Sequence, residues 1–448
     1  TVDEGFTFTG LSVNAKNLLG TGTQVGVFRN QWRERQRIGV LGRQPNLFGT
    51  RIDATVHGGS TRSGDYITQS LFRPYAGEFG KNAFRQAYHQ RDDYFVYSVD
   101  PTMGFTQSYL RFEAELLELS YQRRFGSPTG LRFIAGVGVS REIVRFPFGD
   151  EGVRIVQNDD FDDPMPAPPG VIDEVGIHAN DHQASRINFT FGVRDISFLN
   201  LVGLDALRAS QDVESGLGLR VTVAPGSESG GTAIDDILFR GEGELGLAFG
   251  DFYMQFDADA HARAVISDPR LDRTGWRDIL YELNANAYWD HSERGQVFAR
   301  AQLAGASRLD LPFQLTLGGR ESVRGYNEDA YPGRQRLLLT LEERLAMPAL
   351  STSFADVGIV GFIDAGQIWA GDVPFGETPG WRAALGAGLR IGLPAGAPNV
   401  LRIDFTAPLT GDRETRGTVF RVYAELLGLL DRRAWPTQIE RSRWFGVD

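Results

Sequence analysis

Apolar and polar residues alternate one for one over much of this chain. At 110–116, Leu110, Phe112, Ala114 and Leu116 interleave with Arg111, Glu113 and Glu115. At 131–139, Leu131, Phe133, Ala135, Val137 and Val139 fall on one parity. The longest run, 252–264, sets Phe252, Met254, Phe256 and a ladder of alanines against Gln255, Asp257, Asp259, His261 and Arg263. A period of two marks β-strands with unlike faces, because successive Cβ atoms point to opposite sides of a sheet. Comparable stretches lie at 6–13, 186–194, 281–289, 337–345, 361–369, 382–391, 400–406 and 418–426. The pattern predicts an all-β, antiparallel fold.

Punctuation fits that reading. The turns at 17–22 and 46–50 share an Asn-Leu-x-Gly-Thr pattern, and Asn and Gly tolerate the positive φ of tight turns. The stretch 149–183 breaks the rhythm with Asp159, Asp160, Asp162 and Asp163 beside a run of prolines, and it reads as a long surface loop. These acids are read as solvated. His178 and His182 lie four apart without a helix to align them, so no metal site is assigned. A tail, 428–448, follows the last alternating stretch.

A soluble sandwich alternates too, but here many stretches run ten or more residues and aromatics sit near strand ends (Phe252, Tyr281, Trp289, Trp381). A strand that crosses a bilayer needs only ~9–11 residues, with an outer apolar face flanked by aromatic girdles. A transmembrane β-barrel is therefore expected, with the lipid bilayer as its first partner. The longest uncharged run, 17–28, has twelve residues, short of the ~20 of a spanning helix. No signal peptide is seen, so the chain reads as mature or trimmed. With zero Cys, disulfide and thiol chemistry are excluded, and the net charge of −11 argues against nucleic acid. No catalytic constellation, P-loop or zinc spacing appears; catalytic residues, metal and cofactor are all read as none, and an enzyme is not expected.

Candidate chemistry concentrates in 318–326, Gly-Gly-Arg-Glu-Ser-Val-Arg-Gly-Tyr, and in 361–369, Gly-Phe-Ile-Asp-Ala-Gly-Gln-Ile-Trp. The core of the first is Val323, Arg324, Gly325 and Tyr326. The second presents Gly361, Phe362, Gly366 and Trp369 around Asp364, an acid on the polar side of an apolar strand. An acid so placed seeks a cation, and the planar fork of Arg324 suits a carboxylate. By the same period Glu342 faces the side of Asp364 and Glu343 the other, so Glu342 is the expected second partner.

These two motifs, in this order, resemble the signature of the BamA/TamA/two-partner-secretion superfamily of bacterial outer-membrane barrels. The resemblance implies a barrel over 1–427, usually of sixteen strands; about eighteen alternating segments can be counted, so eighteen or more are possible. It also implies that the sixth extracellular loop, 305–334, folds into the lumen and is held by acids on following strands. The POTRA domains that normally precede such a barrel are missing from the sequence. Either they are truncated, or the barrel works with a separate periplasmic POTRA-containing or lipoprotein partner. The implied function is outer-membrane protein insertion, or protein translocation of a secreted substrate. A passive pore, a structural barrel of an envelope complex and a lipid-transport barrel are the alternatives.

Overall fold

The computed structural model describes residues 10–18, 20–32, 35–77, 79–148, 152–157, 163–268, 274–319, 322–397, 399–411 and 419–426. The tail at 428–448 and three of the four aspartates of the acidic run lie outside them. In chain order the strands are β1 (Gly10–Leu18), β2 (Thr23–Trp32), β3 (Arg35–Gln44), β4 (Asp53–Ser60), β5 (Asp65–Arg73), β6 (Asn82–Ser98), β7 (Gln107–Gly126) and β8 (Arg132–Arg145). Then come β9 (Val153–Val156), β10 (Met165–Pro166), the helix α1 (Pro169–Gly176), β11 (His182–Val202), β12 (Ser210–Gly226), β13 (Asp235–Phe249), β14 (Phe252–Ser267), β15 (Gly275–Trp289) and β16 (Gly295–Ser307). The last are β17 (Leu315–Leu317), β18 (Tyr331–Gly333), β19 (Gln335–Ala346), β20 (Asp356–Trp369), β21 (Arg382–Gly392), β22 (Asn399–Pro408) and β23 (Val419–Leu426).

Nearly all of these strands form one antiparallel sheet of 21. β1 to β8 pair in sequence, β8 passes to β11, β16 to β19, and β19 to β23 finish the ladder. β9 and β10 are a spur on the far end of β7, so nineteen of the 21 succeed one another around the wall. Among the described residues, nineteen lies nearer the eighteen or more that the alternation allowed than the favoured sixteen. A period of two reveals strands but not how many hairpins divide a stretch.

Burial settles which medium the wall faces. On β11, Ile187, Phe189 and Phe191 are 51, 40 and 58% exposed, while Arg186, Thr190 and Arg194 on the opposite parity are buried. On β8 the exposed residues are likewise Phe133, Val137 and Val139. Water reverses this distribution; a hydrocarbon exterior around a polar interior requires it.

The sheet curls until distant strands meet inside it. Tyr97 of β6 packs edge-on against Phe375, between β20 and β21, at 6.1 Å. Ala206 and Ala209, between β11 and β12, bury against Val400 of β22. β1 and β23 both run from the same end of the wall, and among the described residues no pairing joins them. One end of the barrel carries the long connections 146–181, 308–334 and 370–381; the other has short ones such as Gly250-Asp251. Long loops face outward and short turns inward in such barrels.

The outward end is capped. The described part of the 149–183 insertion contributes β9, β10 and α1, whose Val171 and Val175, one turn apart, bury. They join Phe95, Tyr97, Phe112 and Ile155 in a hydrophobic cluster that also takes in Leu311 from the connection 308–334.

Candidate functional site: the inserted loop and its anchors

Past β16 the chain turns into the lumen, where β17 and β18 form a two-stranded hairpin. Its tip demands glycine: φ is +120° at Gly318, +94° at Gly319 and +94° at Gly325. A Cβ on Gly325 would stand 2.9 Å from Thr406 of β22, so the tip lies directly against that strand. The loop brings its own core with it. Phe313, Leu315, Leu317, Val323 and Tyr326 are all buried and pack with Leu280, Leu338 and Ile368 of the wall.

Arg324 ends up between the acids of three strands. Its Nε donates to Asp364 Oδ2 at 2.6 Å and its Nη2 to Oδ1 at 2.8 Å, the two-pronged arrangement of guanidinium on carboxylate. The backbone N–H of Arg324 adds a third, longer bond to Asp364 at 3.3 Å. Nη1 lies 2.9 Å from Glu342 Oε1 and 3.6 Å from Asp404 Oδ2. The guanidinium also stacks over Phe362, its central carbon 3.5 Å from the ring centroid. Arg324, Glu342, Asp364 and Asp404 are all buried.

Supporting groups hold these acids in turn. Thr340 Oγ1 donates to Asp364 at 2.9 Å, Arg344 Nε to Glu342 at 2.9 Å, and Arg390 to Asp404. Tyr326 OH lies within bonding distance of the carbonyls of Ala383 and Thr410 and can donate to one at a time. Gly366 leaves room for the loop: a Cβ there would lie 2.7 Å from both Leu317 and Val323. Gly386 does the same for Phe362, whose ring would be 2.2 Å from an added Cβ. Of the motif-strand residues, Phe362 and Gly366 thus face the loop with Asp364. Gly361 and Trp369 have the other parity and look outward, and Glu343 pairs there with His291 at 2.8 Å. Sequence reasoning did not single out Asp404, Thr340 or Gly386. The only signal for Asp404 was its polar parity in 400–406.

The base of the loop has a second set of ties. Asp310 is met by Arg263 at 2.7 Å, and its backbone N–H donates to Asp278 at 3.0 Å. Asn180 of the cap donates to the Asp310 carbonyl at 2.9 Å, and His178 Nδ1 lies 3.0 Å from that of Leu309.

Above the loop, the 370–381 connection is fixed by Gln314, which donates to Pro374 O at 3.1 Å, and by the N–H of Glu377, which donates to Pro332 O at 2.8 Å. Glu377 Oε1 is buried without a hydrogen-bond partner among the described residues. Burial foremost, with the charge of Asp100 adding and Arg382 opposing, pushes the Glu377 carboxyl from 4.5 up to about 7. The packed state therefore holds its proton through a range where the released loop has lost it. Packing is favoured most below pH 4.5, weakens as pH rises toward about 7, and is level beyond. Limited proteolysis of 370–381 should increase across that window, relative to a Glu377→Gln variant that shows no such step.

Residues 274–424, from the start of β15 into β23, match the Omp85 superfamily domain. Among solved structures the chain is similar to BamA from Haemophilus ducreyi lacking POTRA domains 1–3, at 13% identity and TM-score 0.48, over 93% of this chain and 70% of that one. It is also similar to CdiB from Escherichia coli, at 14% identity and TM-score 0.44, over 90% of this chain and 61% of the other. CdiB from Acinetobacter baumannii matches at 13% identity and TM-score 0.41, over 93% and 58%. The chain thus spans less than two thirds of the length of either CdiB. No curated protein matches it in sequence.

Proposed function

We propose that this outer-membrane barrel, with its Omp85 superfamily domain over 274–424, inserts other outer-membrane proteins or passes a secreted polypeptide outward. Its inserted loop braces the wall while the sheet does the work. The observation that carries the reading is Arg324, buried at the loop tip and shared among Asp364, Glu342 and Asp404. So many ties to strands β19, β20 and β22 hold that part of the sheet in one shape. Elsewhere an opened strand edge would present backbone N–H and C=O groups to an incoming strand, which adds by β-augmentation. The substrates on this reading are unfolded outer-membrane or secreted polypeptides, delivered by a periplasmic partner.

Depletion of the protein followed by outer-membrane proteomics and lipid analysis tests this. Loss of particular barrel or secreted proteins, with lipids unchanged, is the expected result; loss of lipids alone would transfer the function to lipid transport. The passive-pore reading meets a lumen filled by the loop core and covered by the cap. In planar bilayers the wild-type chain should therefore show little steady conductance, and Arg324→Ala should open large, flickering channels. A large steady current in the wild type, unaltered by that substitution, would favour the pore.

A further inference from the structure

The connection between β11 and β12, 203–209, belongs to the inward end. Its ladder neighbours are β8 and β13, yet it reaches across the barrel mouth. Leu204 buries among Val213, Tyr253, Tyr288 and Phe298. Leu207 fills the space over Gly358 of β20, where a Cβ would lie 2.4 Å from it. Ala206 and Ala209 close on Val400 of β22, and Arg208 pairs with Asp356 at 2.5 Å.

Polar bonds hold it in that position. Gln296 Nε2 donates to Gly203 O at 3.3 Å, and Tyr288 OH donates to Asp205 Oδ1 at 3.0 Å. Arg344 Nη1 donates to Leu204 O at 2.6 Å and lies 3.7 Å from the Asp205 carboxylate. The same guanidinium, through Nε, grips Glu342 at 2.9 Å, and the other oxygen of Glu342 lies 2.9 Å from Arg324. Arg344 is thus shared between the 203–209 segment and the anchor of the inserted loop. A mobile turn has no need of a glycine recess, an aromatic pocket and a half-buried arginine.

We propose that 203–209 is a built-in stopper of the inward mouth, and that its hold is coupled through Arg344 and Glu342 to the seating of Arg324 at the loop tip. When Arg324 leaves, Glu342 loses one of its two close guanidinium partners, the geometry that lets Arg344 serve both sides is lost, and the stopper is loosened. The inward and outward closures then release together. This holds whether the cargo is an inserted or a secreted polypeptide.

The chain contains no cysteine, so engineered thiols report cleanly. In the full chain, refolded and checked by its heat-dependent gel mobility, a single Ala206→Cys thiol should react slowly with a bulky maleimide. Adding Glu342→Gln or Arg324→Ala should speed that reaction by about tenfold or more, as expected when a buried ion pair is broken. Equal rates in all backgrounds would overturn the coupling. A lock provides the second measurement: with Ala206→Cys and Val400→Cys added to Arg324→Ala, oxidation should suppress the channel current and dithiothreitol restore it. A current indifferent to the disulfide, or a thiol pair that fails to cross-link in the folded barrel, would overturn the stopper itself.

Discussion

Arg324→Ala should destabilise the folded barrel by about 3–5 kcal/mol, the cost of removing one partner from a buried ion pair. The substitution deletes the two-pronged bond to Asp364 and the contact with Glu342. It leaves three carboxylates in the lumen with less positive charge among them. The midpoint of urea unfolding, followed by heat-dependent gel mobility, measures the loss. Arg324→Lys should recover little of it. An ammonium is a point charge that cannot span both oxygens of Asp364 and reach Glu342 at once, nor lie flat over the Phe362 ring. If alanine and wild type unfold together, the loop tip contributes nothing to holding the wall.

A comparison of two glycines on one strand should be as decisive. Gly366→Leu places its side chain where Leu317 and Val323 already stand, each 2.7 Å from the new Cβ. Overpacking of this kind costs about 1–3 kcal/mol where the surroundings can give way. Here the part free to give way is the loop, so the expected result is a loop driven from its seat, seen as new protease cleavage after Arg324. Gly361→Leu, on the same strand but with the outward parity, meets nothing within 4 Å and should leave the barrel unchanged. Equal behaviour of the two variants would mean that the loop does not lean on β20.

The local alternation that makes a strand is written in consecutive residues, and so the all-β class and the inward parity of Glu342 and Asp364 could be read directly. The partners of Arg324 across the lumen are another matter. Asp404 lies eighty residues further along the sequence, and nothing in 400–406 distinguishes an acid aimed at a loop from any other lumen charge. Gly386 was equally opaque, since its role is to leave space for a ring on the neighbouring strand. In the 149–183 insertion, prolines and aspartates dominate the composition, and they mask Val171 and Val175, which are spaced to bury one helix face. The stopper was hidden for a related reason. Gly-Leu-Asp-Ala-Leu-Arg-Ala at 203–209 carries no two-residue rhythm, and its contacts are made to strands far along the chain.

The direction of β1 and β23 has a consequence for any segment that comes to lie beside them. Since both strands point inward along the wall, a ladder formed directly between them would be parallel, the slightly weaker pairing per residue. A polypeptide threaded between them from the inward side and pointing outward would instead meet an antiparallel neighbour on its left and on its right.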